Sequence, residues 1–134
     1  MKSRMVVIAS LAIAALALGT GKAPGEEHHV KADLVPNGSS GVDGFVQLTQ
    51  LPHGGTNIHV VVLHGLHAGT AYDSFYYESN NCTEPADLLG NVTVNADGSG
   101  EVNGKIDDDL DEVGSVSVRL GPGYGELQAC ARVH

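Results

Sequence analysis

Residues 42–50 read VDGFVQLTQ, and their side chains alternate in character with a period of two. Val42, Val46 and Leu48 belong to one set, whereas the other set is mostly polar, although it includes Phe45. Alternation of this kind is typical of a β-strand that packs one face against a core. We therefore expect a strand here.

Other short β-like segments surround this strand and are separated by turns rich in Gly, Pro and Asn. They are residues 58–63, 71–77, 91–94, 100–106, 115–120 and 127–133. Asp97-Gly98 is a strong hairpin signal, and the acidic residues 107–112 suit a turn or one short helical turn. With no helix of normal length in sight, the pattern predicts an all-β, antiparallel sandwich or barrel.

The N-terminus has the three parts of a secretory signal peptide. Lys2 and Arg4 precede an apolar run over residues 5–18, and Ala17-Leu18-Gly19 supplies small residues for cleavage. We expect a signal peptide over residues 1–19, cut between residues 19 and 23, and a secreted or periplasmic protein. An uncleaved N-terminal anchor is the alternative. Beyond the leader we predict a flexible polar arm over residues 20–40 and one domain over residues 41–134.

The charge of the chain restricts its partners. The net charge is −9, and loss of the leader, with its two cations Lys2 and Arg4, makes it −11. Such an acidic surface argues against nucleic acid and against anionic membranes once the leader is cleaved. The partner itself is not specified by the sequence, and a protein partner or a homodimer remains open.

Cys82 and Cys130 are the only cysteines, and both lie in the expected exported part. In an oxidising compartment they should form a disulfide. Closing so long a loop would stabilise the fold by about 4 kcal/mol. A pair of free thiols or a metal site is the alternative.

Four stretches, in order, resemble Cu/Zn superoxide dismutase. They are residues 42–50, Gly65-Leu66 followed by Gly69, residues 89–93 (LGNVT) followed by Asp97-Gly98, and residues 127–133 (LQACARV). The resemblance implies a Greek-key β-sandwich or barrel of immunoglobulin-like architecture. It also places Cys82 and Cys130 where that family has its disulfide.

The metal ligands of that family do not carry over. Ala71, Ser74, Tyr76 and Arg119 stand at positions that the resemblance assigns to the copper site. Serine and tyrosine are poor substitutes for imidazole at copper, and a cation repels a metal ion. The loop that would hold zinc is short and lacks histidine. The resemblance therefore implies a framework with no catalytic residue and no copper or zinc cofactor.

A second metal hypothesis rests on the run Glu26-Glu27-His28-His29. Four neighbouring ligands in a flexible arm could capture Cu(II), zinc or nickel loosely, with His28 and His29 as the candidate imidazoles. A solvated acidic tail is the alternative.

Three functions follow. The first is a non-catalytic binding or structural module built on a superoxide dismutase-like fold. The second is a metalloprotein with residual superoxide dismutase activity or copper or zinc binding. The third is an unrelated extracellular sandwich of the adhesion type.

Overall fold

The computed structural model describes residues 28–134. The expected signal peptide, its cleavage site and residues 20–27 of the expected arm lie outside this range. The described chain forms nine strands and one 3-10 turn at Leu110–Glu112. The strands are β1 (His29–Pro36), β2 (Asp43–Gln50), β3 (Thr56–His64), β4 (Tyr72–Tyr77), β5 (Ala86–Asn91), β6 (Thr93–Val94), β7 (Gly100–Ile106), β8 (Ser115–Leu120) and β9 (Leu127–Arg132).

All strand pairs are antiparallel, and the order across the sheet is β5-β4-β8-β9-β1-β2-β3-β7-β6. The pairing of β3 with β7 and of β4 with β8 requires two connections that cross between the halves of the sheet, as in Greek-key folds. The all-β class predicted from the sequence is confirmed. Within residues 28–134 there is no helix that could span a bilayer.

The two edges of the sheet meet, so the sheet is nearly closed into a barrel. Residues 86–94 pass from one edge to the other: β5 pairs with β4, and β6 pairs with β7. The side chain of Leu89 lies so close to Gly104 that a Cβ added to this glycine would come within 2.5 Å of it. Glycine at this position lets the edges approach each other.

The strand predicted over residues 91–94 is therefore wrong in its bounds. The chain leaves β5 at Asn91, and the buried Val92 separates it from β6. The backbone N–H of Val92 donates to the carbonyl oxygen of Tyr72, at 2.9 Å. Because the segment changes partners here, it cannot form one uninterrupted ladder.

The prediction of a flexible arm over residues 20–40 is wrong for residues 29–36. These residues form β1, which lies between β2 and β9. Leu34 is 2% exposed, and Val30 and Ala32 pack against the same core, whereas Val35 is 61% exposed. Burial of this alternating face outweighs the polar composition of the segment.

The main core fills the barrel and is built chiefly from Val, Leu and Ile of β2, β3, β7 and β8. A smaller cluster forms on the outer face of the sheet around Phe75, Tyr77 and Cys82. This outer cluster is covered by the loop between β4 and β5 and by the turn between β8 and β9.

Candidate functional site

Strand β4 holds two of the four residues at the positions that the resemblance assigns to copper, Ser74 and Tyr76, and both faces of the strand are covered. Tyr72 belongs to the barrel core, and Tyr76 packs against that core. Phe75 and Tyr77 belong to the outer cluster. Successive side chains of a strand point to opposite faces, so Ser74 faces inward with Tyr72 and Tyr76.

The four positions that the resemblance assigns to copper do not converge. Ser74 and Tyr76 pair with Val118 and Val116 of β8, which lie in the barrel core. Arg119 pairs with Asp73 and is directed to the outer face. Ala71 lies before β4 and is exposed. The resemblance implies one site lined by Ala71, Ser74 and Tyr76, with Tyr76 or also Arg119 filling the space of the metal. This is wrong for Arg119, because strand alternation places it on the face opposite to Ser74 and Tyr76.

The two inward residues, Ser74 and Tyr76, are poor metal ligands for different reasons. Ser74 is 0% exposed, and its Oγ donates to the carbonyl oxygen of Ser117 at 2.8 Å. Tyr76 is half-buried. Burial raises the pKa of Tyr76, and the nearby carboxylates of Asp87, Asp108 and Asp107 raise it further. A phenol with a raised pKa is a poor metal ligand because its oxygen stays protonated.

Arg119 is the centre of a group on the outer face, which we call the outer clasp: Tyr77, Cys82, Arg119 and Tyr124. Its Nε donates to the Tyr77 hydroxyl at 3.0 Å, its Nη1 to the carbonyl oxygen of Gly125 at 2.9 Å, and its Nη2 to that of Cys82 at 3.2 Å. These bonds join two surface loops to β8. Each guanidinium nitrogen thus has a protein acceptor.

Aromatic packing completes the outer clasp. The Tyr124 ring meets Phe75 edge to face, with centroids 4.9 Å apart. Burial and the neighbouring Tyr77 hydroxyl raise the pKa of Tyr124 to about 12. The Tyr77 hydroxyl also lies 2.7 Å from Ser117 Oγ. Tyr124 was not identified from the sequence, where it is a single aromatic residue in a glycine-rich stretch.

The predicted disulfide between Cys82 and Cys130 is confirmed, with an S–S distance of 2.06 Å. It links Cys82 of the outer clasp, in the loop after β4, to β9. The backbone N–H of Cys82 donates to Ser115 Oγ at 2.9 Å, and Ser115 Oγ donates to the carbonyl oxygen of Ser79 at 2.6 Å. The loop is therefore attached by hydrogen bonds as well as by the disulfide.

Asp73 is a buried carboxylate that sequence reasoning missed. It is 4% exposed, and its two oxygens accept hydrogen bonds from the Asn91 side-chain amide and, at 2.7 Å, from the backbone N–H of Gly123. It thereby fixes the turn that carries Tyr124. An acidic residue in an otherwise aromatic strand was the only signal for it.

The histidines on β3 are separately paired on the surface. His59 Nε2 lies 3.0 Å from Glu101, and His64 Nδ1 lies 3.0 Å from Asp43. His29, a weak metal candidate, lies in β1, where its Nδ1 is 3.2 Å from the Thr49 hydroxyl.

His28, the other weak candidate, lines a groove of about 400 Å³ at one end of the barrel, which we call the end groove. Its lining residues are His28, Val30, Gln50, Asp109, Leu110, Asp111 and His134. Over residues 28–134, no three His, Cys, Asp or Glu side chains are grouped so that they could hold a metal ion.

One wall of the end groove is held together by hydrogen bonds. The Gln50 amide nitrogen donates to Asp109 Oδ1 at 3.0 Å, and the Gln50 amide oxygen accepts from the N–H of Leu110 at 2.7 Å. Asp109 Oδ1 also accepts from the N–H of Gly55 at 2.9 Å. The hydrogen bonds to Asp109 lower its pKa, and the bond from Gly55 has a larger effect than the bond from Gln50. The groove therefore presents an ionised carboxylate beside apolar surface at neutral pH.

Neither protein-family models nor curated protein sequences match this chain.

Proposed function

We propose that this protein is an exported β-barrel of the superoxide dismutase-like type that acts without catalysis, as a structural or ligand-binding module. The observation that carries the proposal is the bonding of Arg119. Its guanidinium donates to three protein acceptors and stacks on Tyr124, at a position where the resemblance expects a copper ligand.

The donor set at the other positions supports the same proposal. The hydroxyl of Ser74 donates a hydrogen bond to a backbone carbonyl oxygen, and the raised pKa of Tyr76 keeps its phenol neutral. Ala71 offers no donor atom. Copper and zinc require imidazole, thiolate or carboxylate ligands directed to a common point. The residues present do not fit those metals.

The superoxide dismutase-like framework is supported by where the resembling segments fall in the fold. Residues 42–50 correspond to β2 and residues 127–133 to β9, while residues 89–93 span the junction of β5 and β6. The disulfide joins the loop before β5 to β9. The order of the four short motifs, with three of them on or between strands in this way, favours this framework over an unrelated sandwich of the adhesion type.

Export is supported by the leader-like sequence and by the disulfide, which is typical of proteins in oxidising compartments. Both together support a secreted or periplasmic location. The net charge of −11 after loss of the leader would repel superoxide, which is itself an anion. The same charge favours neutral or cationic partners.

The end groove is the surface to which we assign a binding role. It combines the carboxylates of Asp109 and Asp111 with apolar contributions from Val30 and Leu110. Pockets that combine a few fixed polar groups with apolar lining are typical of ligand sites. A second copy of the chain or another protein is also compatible with the proposal.

The test is superoxide dismutation by the mature protein, purified without an affinity tag, together with its copper and zinc content. We expect no rate above that of buffer with the same free metal. A variant that lacks residues 20–27 and carries His28→Ala serves as a control for metal captured loosely by the N-terminal residues. Activity that survives both this variant and dialysis against chelator would establish the metalloprotein alternative instead.

A further inference from the structure

The two sulfur-bearing residues of the disulfide differ in their access to solvent. Cys82 is 1% exposed and packs within the outer cluster. Cys130 is partly exposed and lines a second groove, of about 430 Å³, on the outside of the barrel, which we call the lateral groove. Val35, Asn81, Leu127 and Arg132 also line it.

The backbone of Cys82 is held by groups other than the disulfide. Its N–H donates to Ser115 Oγ, and its carbonyl oxygen accepts from Arg119. Its Sγ lies 3.5 Å from the carbonyl oxygen of Val116, within the distance of a hydrogen bond from a thiol. A free thiol at this position would have an acceptor without any movement of the loop.

From this asymmetry we infer that Cys130 is a site of reversible modification by small thiols, and that Cys82 is the resolving half of the pair. The proposal does not depend on the proposed function. A small thiolate enters the lateral groove and attacks Cys130 Sγ. A bond forms between the two sulfurs, the bond between Cys130 and Cys82 breaks, and its electron pair passes to Cys82 Sγ.

The Cys82 thiolate then takes a proton from solvent, and the thiol donates to the carbonyl oxygen of Val116. The products are a mixed disulfide on Cys130 and a buried thiol on Cys82, so one disulfide replaces another without net oxidation. Because Cys82 stays in place, its thiolate can attack the mixed disulfide and restore the original bond. Attack at Cys82 is blocked, since its surroundings exclude a nucleophile.

The charge of the lateral groove affects which thiols enter. Arg132 attracts an anionic thiol such as glutathione, and Asp33, which lines the same groove, opposes it. Arg132→Gln should therefore slow attack by glutathione by about threefold at low salt and leave attack by the neutral 2-mercaptoethanol nearly unchanged. Asp33→Asn is the matched variant, and it should speed attack by glutathione.

The deciding experiment uses the wild-type mature chain. The disulfide is reduced under native conditions, the thiols are pulsed with iodoacetamide, and the labelled peptides are quantified by mass spectrometry. We expect Cys130 to be labelled at least about tenfold faster than Cys82, as for other exposed and buried thiols. Equal labelling, whether through an accessible Cys82 or through loss of the fold, would contradict the proposal.

A second measurement locates the adduct. The oxidised protein is incubated with excess glutathione, quenched in acid, alkylated and digested. Glutathione should be found on the Cys130 peptide and the alkyl group on the Cys82 peptide. Each single variant keeps one thiol. Cys82→Ser, which keeps Cys130, should react fast with glutathione disulfide, whereas Cys130→Ser, which keeps Cys82, should react slowly. An adduct that is mainly on Cys82 would overturn the assignment.

Discussion

The guanidinium carbon of Arg119 lies 3.9 Å from the centre of the Tyr124 ring. The two residues come from β8 and from the turn that follows it, and their stacking places the hydrogen-bonding nitrogens of Arg119 against Tyr77, Gly125 and Cys82. A planar guanidinium can stack and donate at the same time, which an ammonium cannot do. This contact holds two loops against the outer face of the sheet.

Replacement of Arg119 should destabilise the protein. We expect Arg119→Met to lower the free energy of unfolding by about 2 kcal/mol, because several half-buried acceptors lose a charged donor. Arg119→Lys should lower the free energy of unfolding by about 1 kcal/mol, since lysine keeps the positive charge but not the planar set of donors of the guanidinium. Urea unfolding measures both. Arg132→Met, at an exposed arginine, is the control and should change stability by less than about 0.5 kcal/mol. Equal effects at the two arginines would show that the outer clasp does not stabilise the fold.

The disulfide should account for a large part of the stability. Its two residues are 48 positions apart, and a closed loop of that length predicts a loss of about 4 kcal/mol in the double variant Cys82→Ala, Cys130→Ala. Urea unfolding with and without dithiothreitol tests this. The reductant should lower the midpoint of the wild type and leave that of the variant unchanged. A loss below about 1 kcal/mol would mean that hydrogen bonds alone hold the loop.

Asp73→Asn should loosen the turn that carries Tyr124. Both carboxylate oxygens of Asp73 accept hydrogen bonds, whereas an asparagine must direct its NH₂ group at one of the two donors. We expect a loss of about 2 kcal/mol and faster hydrogen exchange at the Gly123 amide. The exposed Asp33→Asn is the matched control. Unchanged exchange at Gly123 would contradict this role of Asp73.

The N-terminal strand should be required for folding. Leu34→Ala should cost about 3 kcal/mol because a core side chain is truncated, whereas Val35→Ala, one position further along and exposed, should cost less than about 0.5 kcal/mol. Thermal or urea unfolding of the pair checks the difference. Similar small effects would mean that residues 29–36 behave as an arm in solution.

Asp108, one of the carboxylates near Tyr76, should make stability fall as pH rises. Burial, followed by repulsion from Glu112, Asp87, Glu78 and Asp107, raises the pKa of Asp108. Below the unfolded pKa, about 3.9, Asp108 is neutral in both states. Above the unfolded pKa, Asp108 ionises in the unfolded state before it ionises in the folded state. The stability that neutral Asp108 provides is therefore lost as pH rises through the raised folded pKa.

Asp108→Asn should therefore stabilise the protein at pH 7 by up to about 0.5 kcal/mol, and the gain should vanish near pH 3. Asp97 is the matched control. Hydrogen bonds from Ser99 lower the pKa of Asp97. Ionised Asp97 therefore contributes to the stability of the fold above the unfolded pKa, and this contribution is lost as pH falls through the folded pKa. Asp97→Asn should accordingly destabilise the protein at pH 7. Urea unfolding at several pH values distinguishes the two, and effects of the same sign would refute this account.

Some elements could be predicted because their signal is local. The alternation in residues 42–50 is a property of the segment itself, and it became β2 with Val46 and Leu48 buried. Asp97-Gly98 lies at the turn between β6 and β7, with Gly98 at a positive φ of 90° that favours glycine. The pairing of Cys82 with Cys130 followed from a count of cysteines and from the resemblance.

Other features depended on residues far away in the sequence. β1 has only a short alternating pattern, and its place between β2 and β9 decided that it is a strand. Ser74 and Arg119 were expected in one site, but the pairing of β4 with β8 put them on opposite faces. Periodicity indicates which residues share a face, whereas what covers each face depends on the tertiary structure. The sequence alone therefore determined the fold class, most of the strands and the disulfide. Only the tertiary structure decided which polar groups meet, because the outer clasp, the carboxylate of Asp73 and the two grooves are all formed by residues distant along the chain.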